Sequence, residues 1–197
     1  MTQYSPINWK LIGDAVLFYQ EKGYTYVEAP WIVPEEALRV TLPEWARPHS
    51  LENDGTLVGS AEQGLIHMMD TGELPLGNYV AAGPCFRYEK EFDALHQQYF
   101  FKVELMHLFD PSLRDPKVEL NSCLIAAMEF FFSQIGEGAW RDVFSLENTP
   151  DGTDICLNGI EVGSYGIREY NGHTWVYGTG VAEPRFSQVL RRQATIC

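Results

Sequence analysis

The sequence predicts an α+β fold, a mostly antiparallel sheet flanked by helices, with the helices packed on one face. Three observations predict it. Helical patterns stand at either end of a run of strand-like segments. Two alternating runs, 79–88 and 99–109, enclose a charged loop in the manner of a hairpin. The later strand-like runs are separated by turns of Gly, Asn and Asp. No internal repeat, low-complexity stretch or linker interrupts the 197 residues, so one domain over 1–197 is expected.

Each element follows from local chemistry. Ser5 is expected to cap a helix to Lys22, with Pro6 in its first turn and Gly23 at its stop. Ile7, Leu11, Ala15 and Phe18 form its apolar stripe. Tyr24–Ala29 reads as a short strand ended by Pro30, and 43–55 as a Pro-rich polar loop. Thr56–Gly59 reads as a strand end and Ala61–Asp70 as a helix. Asp115-Pro116 opens a long helix to Ile135. Trp140–Leu146, Asp154–Leu157, Glu161–Tyr165 and His173–Tyr177 read as strands, and Pro184–Arg192 as the final helix.

Composition narrows the function classes. A hydrophobic fraction of 45% with 13% aromatics supports a proper core and argues against disorder. A net charge of −13 opposes extensive unaided binding to a polyanion. Cys85, Cys123, Cys156 and Cys197 are widely spaced, with no CxxC pair, so neither a zinc ribbon nor a redox motif is signalled. The N-terminus has no basic stretch leading into an apolar one, and no run approaches about twenty apolar residues. A cytoplasmic protein with reduced thiols and no membrane association is expected.

Four constellations carry chemistry. In the hairpin, alternation puts Arg87 and Glu89 on one face, and Phe100, Lys102 and Glu104 together on one face of the return strand. An arginine fork suits a phosphoryl oxygen, an aromatic ring suits a purine, and carboxylates suit an ammonium, an adenine amino group or a bridging metal. Gly178-Thr179-Gly180 leads through Glu183-Pro184 to Arg185 at a helix start, an anion-binding arrangement read as a strand-turn-helix corner. Glu161-Val162-Gly163-Ser164, with Asp154 and Glu147 upstream, places carboxylates on neighbouring strands that can hold Mg²⁺ between phosphates. Ser60-Ala61-Glu62 offers Glu62 to an α-ammonium. Singly, each pattern competes with an ordinary role: a cross-strand ion pair, a plain corner, solvated strand carboxylates, or an acid in a helix's first turn.

Together the residues resemble the catalytic core of class II aminoacyl-tRNA synthetases. Gly23–Pro30 resembles the first motif, which in that family forms a dimer interface. Phe86-Arg87-Tyr88-Glu89 with His96, Phe100 and Glu104 resembles the second, and Gly178–Arg185 the third. Phe100–Leu105, Ser60-Ala61-Glu62, Glu161–Ser164 and His173-Thr174 are similar to the seryl branch; Asp93–His96 with Phe100 and Val103-Glu104 is similar to the phenylalanyl branch. The likeness spans about Gly23 to Leu190. Gly166 stands where the seryl branch has a second serine, the loop between Glu89 and His96 is short, and no anticodon-binding domain or coiled-coil arm is apparent.

The resemblance implies an amino-acid-activating ligase that makes aminoacyl-AMP and pyrophosphate from ATP. It implies Arg87 on the α-phosphate, Phe100 under the adenine and Arg185 on the γ-phosphate. Glu89, Glu104 and Glu161 would complete the ATP site, with Mg²⁺ at Glu161 or Glu147. Glu62, Glu104 and Ser164 would receive the amino acid. A zinc ion on Cys85 and Cys156 is the less favoured arrangement, since no spacing supports it. A homodimer is expected, with a carrier protein or small molecule as acceptor and weak or no binding of free tRNA. The alternatives are a regulatory or sensor paralog that binds an amino acid or nucleotide, a scaffold that keeps only the dimer-forming fold, and a minimal tRNA-charging enzyme.

Overall fold

A computed structural model describes residues 4–43, 46–52, 55–88, 93, 95–135 and 143–194; Glu89, Trp140 and Cys197 lie outside them. Helix α1 (Trp9–Glu21) begins one turn later than expected. Asn8 rather than Ser5 is its cap, its Oδ1 accepting from Leu11 N at 3.2 Å. Gly23 follows the helix at φ +93°, a conformation glycine adopts without steric cost. Strand β1 (Thr25–Tyr26) is brief, and 32–57 holds β2 (Ile32–Val33), α2 (Glu35–Arg39), β3 (His49–Ser50) and β4 (Thr56–Leu57). Those three strands form a small sheet in the order β2-β4-β3, which the loop expectation for 43–55 missed.

Helix α3 (Ala61–Asp70) starts in a capping box between Ser60 and Gln63. Strands β5 (Gly77–Phe86) and β6 (Tyr99–Phe109) pair antiparallel from Phe86↔Tyr99 to Gly77↔Leu108. Helix α4 (Pro116–Ser133) is capped by Asp115, whose carboxylate accepts from Lys117 N at 2.8 Å. Strands β7 (Phe144–Thr149), β8 (Gly152–Leu157), β9 (Ile160–Tyr170) and β10 (His173–Glu183) then form a meander, and α5 (Arg185–Ala194) follows. The large sheet has the order β1-β5-β6-β10-β9-β8-β7; only β1 against β5 is parallel. None of the described helices is long and apolar enough to cross a membrane.

The fold class is as expected, but the helices cover both faces. Alternation explains this directly. Val80, Val103, Leu105, Val176 and Val181 point to one face and pack with α1, α4 and α5 through Leu11, Ala15, Tyr19, Phe130 and Phe186. Tyr79, Ala81, Met106, Leu108, Trp175 and Tyr177 point to the other and pack with α3 through Leu65, Ile66 and Met69. Side chains of α1 and α4 form a cluster of rings, with Tyr19, Phe18 and Phe130 at 5.3–5.6 Å between centroids.

Strand β10 runs straight through the glycines that looked like a corner. Gly178 lies against Cys123 Sγ and the Tyr165 ring, where a Cβ would stand 2.7 Å from each. The glycines therefore admit close packing within a strand rather than ending it. Between Thr179 and Val181 the register with β6 slips: Thr179 faces Glu104, Val181 faces Val103 and Ala182 faces Lys102. Tyr19 OH donates to the Gly180 carbonyl at 3.0 Å, and Tyr165 OH donates to that of Thr179. At the strand's end the fully buried Glu183 accepts from Asn8 N at 3.0 Å and Ser187 N at 2.9 Å. One carboxylate thus joins the N-termini of α1 and α5.

Gly180→Ala should destabilise the protein by about 1–3 kcal/mol, measured by urea denaturation, because an added Cβ would lie 2.8 Å from both Tyr19 Cε2 and Val103 Cγ1. A second expectation concerns His107, which is buried between Tyr24 OH (2.6 Å from Nε2) and Glu119 (3.1 Å from Nδ1). Burial lowers its pKa, against the opposing pull of Glu119. The unfolded chain takes up that proton first, so this group's contribution to stability is present above about pH 6.5 and is lost as the pH falls below it. His107→Gln should flatten the stability-versus-pH curve over that acidic limb. An unchanged slope would assign the limb to other groups.

Candidate active site

A cleft of about 360 Å³ lies on the α3 face of the large sheet. Its floor is strand side chains: Phe100 and Lys102 from β6, Ser164 and Arg168 from β9, Tyr177, Thr179 and Ala182 from β10. The slip in register keeps this floor continuous, because it returns Ala182 to the face of Thr179 opposite Lys102 and Glu104. The walls are the turn into α3 (Gly59, Ser60, Glu62, Gln63), the end of β5 with Arg87 and Tyr88, and Arg185 at the start of α5.

Arg87 lies just beyond β5. Its Nε donates to the Gly59 carbonyl at 3.0 Å, and its guanidinium carbon stands 5.0 Å over the Phe100 ring. The carbonyl holds one edge of the guanidinium, and the remaining N–H groups have no hydrogen-bond acceptor among the described residues. Arg185 Nη1 lies 3.2 Å from Glu161 Oε2, an exchangeable pair at the cleft mouth in which both side chains keep solvent access. Ser164 N donates to Thr179 Oγ1 at 3.2 Å, which locks β9 to β10 beneath the cleft. Glu104 is buried under the floor, 2.8 Å from Lys102 Nζ. Desolvation raises its pKa, Lys102 pulls it down, and the charge of Glu62 adds to the rise.

The structure thus brings Glu62, Arg87, Phe100, Glu161, Ser164 and Arg185 to one cleft, with Glu104 immediately below it. Glu147 is not part of the lining. It sits on exposed β7 opposite Asp154. Burial raises the pKa of Asp154, a hydrogen bond from Ser164 lowers it, and the charges of Glu161 and Glu147 raise it again. Glu89 lies outside the described residues. Cys85 and Cys156 are buried free thiols, pushed up by desolvation to about 12 and about 11. Among the described residues no three His, Cys, Asp or Glu side chains are arranged to hold a metal.

The inner end of the cleft holds a group that sequence reasoning missed. Both oxygens of Glu62 have protein donors: Arg168 Nη1 reaches Oε2, and Trp175 Nε1 donates to Oε1 at 2.9 Å. Arg168 also lies 3.9 Å over the Tyr177 ring. Its pKa rises through Glu62 against the opposing effect of burial, so its charge is secure. The signal for Arg168 was present: Ser164, Gly166 and Arg168 alternate onto one face of β9. The strand expected from the sequence ends at Tyr165, whereas β9 runs on to Tyr170 and carries Arg168 with it. Arg47, His96, Gln97 and Asp151 also line the cleft. They come from loops or strand ends, where no periodicity announces a direction. The Gln97 side chain is buried, and its Nε2 has no hydrogen-bond partner among the described residues.

This architecture has known counterparts. It aligns with the seryl-tRNA synthetase of Pyrococcus horikoshii complexed with ATP over 91% of this chain and 48% of that one, with a TM-score of 0.68 and 19% identity. Against PylSc of Desulfitobacterium hafniense, a pyrrolysyl tRNA synthetase, the coverages are 93% and 68%, the TM-score 0.70 and the identity 17%. The cytoplasmic serine-tRNA ligase of Naegleria fowleri in complex with AMP aligns at a TM-score of 0.65 and 16% identity, over 90% of this chain and 52% of that one. By sequence, a serine–tRNA ligase from Polaromonas naphthalenivorans (strain CJ2) is 30% identical over 114 residues, 46% of this chain and 26% of that protein. No protein-family model matches. The fold is that of the catalytic core of a class II aminoacyl-tRNA synthetase. The chain spans about half the length of the Pyrococcus enzyme.

The Trp175–Glu62 bond yields a prediction that needs no ligand. Trp175→Phe keeps an aromatic ring, opens a small cavity and leaves a buried carboxylate oxygen without its donor, which together should cost at least about 1–3 kcal/mol in denaturant unfolding. Stability within a few tenths of the parent would show that Glu62 Oε1 finds another donor.

Proposed function

We propose that this chain is an ATP-dependent ligase that activates an amino acid as its adenylate, releasing pyrophosphate. The observation that carries the reading is the charge placement in the cleft. A chain of net charge −13 gathers five of its fourteen Lys and Arg, namely Arg47, Arg87, Lys102, Arg168 and Arg185, around one cleft whose floor carries the Phe100 ring. Lys102, Arg168 and Arg185 already pair with Glu104, Glu62 and Glu161, but Arg87 has only a carbonyl and a ring, and a nucleoside triphosphate is an anion with a ring to stack.

In this reading Phe100 offers its ring to the adenine, and Arg87 above that ring supplies charge to the adjoining α-phosphate. Arg185 leaves Glu161 for the γ-phosphate, and Glu161 with Glu89 attends the Mg²⁺ and the nucleotide. Ser164 and the Lys102–Glu104 pair border the amino acid. The amino acid's carboxylate is itself the nucleophile, so the chain's residues have to position it in line with the α-phosphorus and neutralise charge on the phosphate. The acceptor is a small molecule or a carrier protein rather than free tRNA, which the acidic chain disfavours. Two copies associate through the Gly23–Pro30 segment, where β1 is a sheet edge and Tyr26 is 38% exposed.

Amino-acid-dependent ATP–pyrophosphate exchange in Mg²⁺ tests the core of this reading. Exchange is expected with at least one amino acid, and Arg87→Ala should lower its rate by about a hundredfold or more with the fold intact by circular dichroism. Saturable ATP binding without exchange, across a full panel of amino acids, would instead favour the sensor.

A further inference from the structure

We propose that the activated amino acid carries a second carboxylate, on its side chain, and that Arg168 is the residue that selects it. This rests on the proposed activation reading and names the substrate class of the same cleft. The argument begins at Glu62. A carboxylate that is to receive a substrate ammonium must keep a free lone pair toward the cleft. Glu62 is 6% exposed, and both its oxygens are already engaged, by Trp175 and by Arg168. Each oxygen keeps a second lone pair, but the charge is already matched by Arg168, so Glu62 serves first as that arginine's fixed counterion.

What faces the ligand at this end is Arg168. A guanidinium has five N–H groups in a rigid fork. Glu62 accounts for one of them, and the Tyr177 ring covers one face at 3.9 Å. Among the described residues no other acceptor is bonded to the remaining N–H groups, and the side chain keeps 31% of its surface open while lining the cleft. A stacked and counter-charged arginine with free N–H groups is pre-organised to take a carboxylate through two parallel hydrogen bonds. A cationic side chain in its place would meet like charge, and a small neutral one would leave those donors unpaired in a partly desolvated site.

The position on the floor fits a side-chain end rather than the reacting carboxylate. Arg168 pairs with Trp175 across β9 and β10, and the floor continues along β10 through Tyr177 and Thr179 to Ala182. From Tyr177 to Ala182 that is about 16 Å of strand. Arg185, the candidate γ-phosphate arginine, follows beyond the far end. The phosphates and the reacting carboxylate therefore belong toward Arg87 and Arg185, and the substrate's distal end toward Arg168.

Calorimetric titration of the full chain with L-aspartate, L-glutamate, L-serine and L-lysine reads this directly and requires no turnover. One of the two dicarboxylic amino acids should bind at least about tenfold tighter than serine or lysine. Arg168→Lys, which keeps the charge beside Glu62 but not the fork, should lose that margin and still fold. Arg168→Ala, which releases Glu62, should move the preference toward lysine. Equal or tighter binding of serine or lysine by the parent, no binding of either dicarboxylic amino acid, or a margin retained in Arg168→Lys would overturn the proposal. The two readings separate cleanly in the exchange assay. Dicarboxylate binding without exchange removes activation and leaves the assignment of Arg168. Exchange with a neutral amino acid and not with aspartate or glutamate removes the assignment and leaves activation.

Discussion

The slip in register between β10 and β6 at Thr179–Val181 is the constraint on which the rest of the site depends. A strand buried on both faces has no water to satisfy a carbonyl that the ladder drops. Two carbonyls at the slip accept from tyrosines of different parts of the chain: that of Gly180 from Tyr19 of α1 and that of Thr179 from Tyr165 of β9. Both hydroxyls are buried among apolar neighbours, and their pKa values are raised well above the ordinary phenol value by burial, so each remains a donor across the physiological range. Glycine at 180 follows from the same crowding, since Tyr19 and Val103 occupy the space a side chain would need. The helix layer beneath the sheet thus sets the register above it. That register puts Thr179 and Ala182 on the cleft floor and sends Glu183 down to the starts of α1 and α5.

The electrostatics of the cleft follow a consistent rule. Charges that are out of water have partners inside the protein: Glu62 has Arg168, and Glu104 has Lys102. Charges at the mouth have loose partners or none, as with the half-open Arg185–Glu161 pair and with Arg87, which has a carbonyl and a ring. A buried pair is close to neutral for stability, while a buried ion stripped of its partner costs several kcal/mol. Ligand charge is therefore met most cheaply at the mouth, by cations that need break little to engage it. The inner pair works differently: it fixes the shape and sign of a surface that a ligand must match.

Much of this was legible in the sequence where periodicity spoke. The β5–β6 hairpin, α3, the Asp115 cap of α4 and the shared face of Phe100, Lys102 and Glu104 all follow from alternation or capping chemistry. The failures have physical causes. Gly178 and Gly180 signal a turn by local propensity, and tertiary packing overrides that signal, so β10 is eleven residues long. The small sheet of β2, β3 and β4 has two-residue strands, too short for any period to show. Asn8 displaced Ser5 as the helix cap because its backbone N–H is bound by Glu183, 175 residues away, which no local pattern reports. Glu62 was readable as an acid at a helix start, but its pairing with Arg168 and Trp175 is a contact between elements more than a hundred residues apart.

A last step links the charge of the chain to what its cleft can admit. With 27 acidic residues the long-range field repels any extended polyanion, and salt screens that field beyond about 8–10 Å. A cleft of about 360 Å³ lined by five cations against Glu62, Asp151 and Glu161 keeps a small positive surplus at short range. A small anion crosses the repulsive zone at modest cost and then meets guanidinium and ammonium groups in a partly desolvated space, where each contact is stronger than at a surface. Binding of a nucleic acid is driven by counterion release, which needs basic groups along the whole path of its phosphates. The proposed preference for a small anion over a long polyanion rests on that contrast between net charge and cleft. It works with the walls of the cleft, because a deep binding surface with its own fixed counterions can discriminate by shape and sign only once the ligand is small enough to enter.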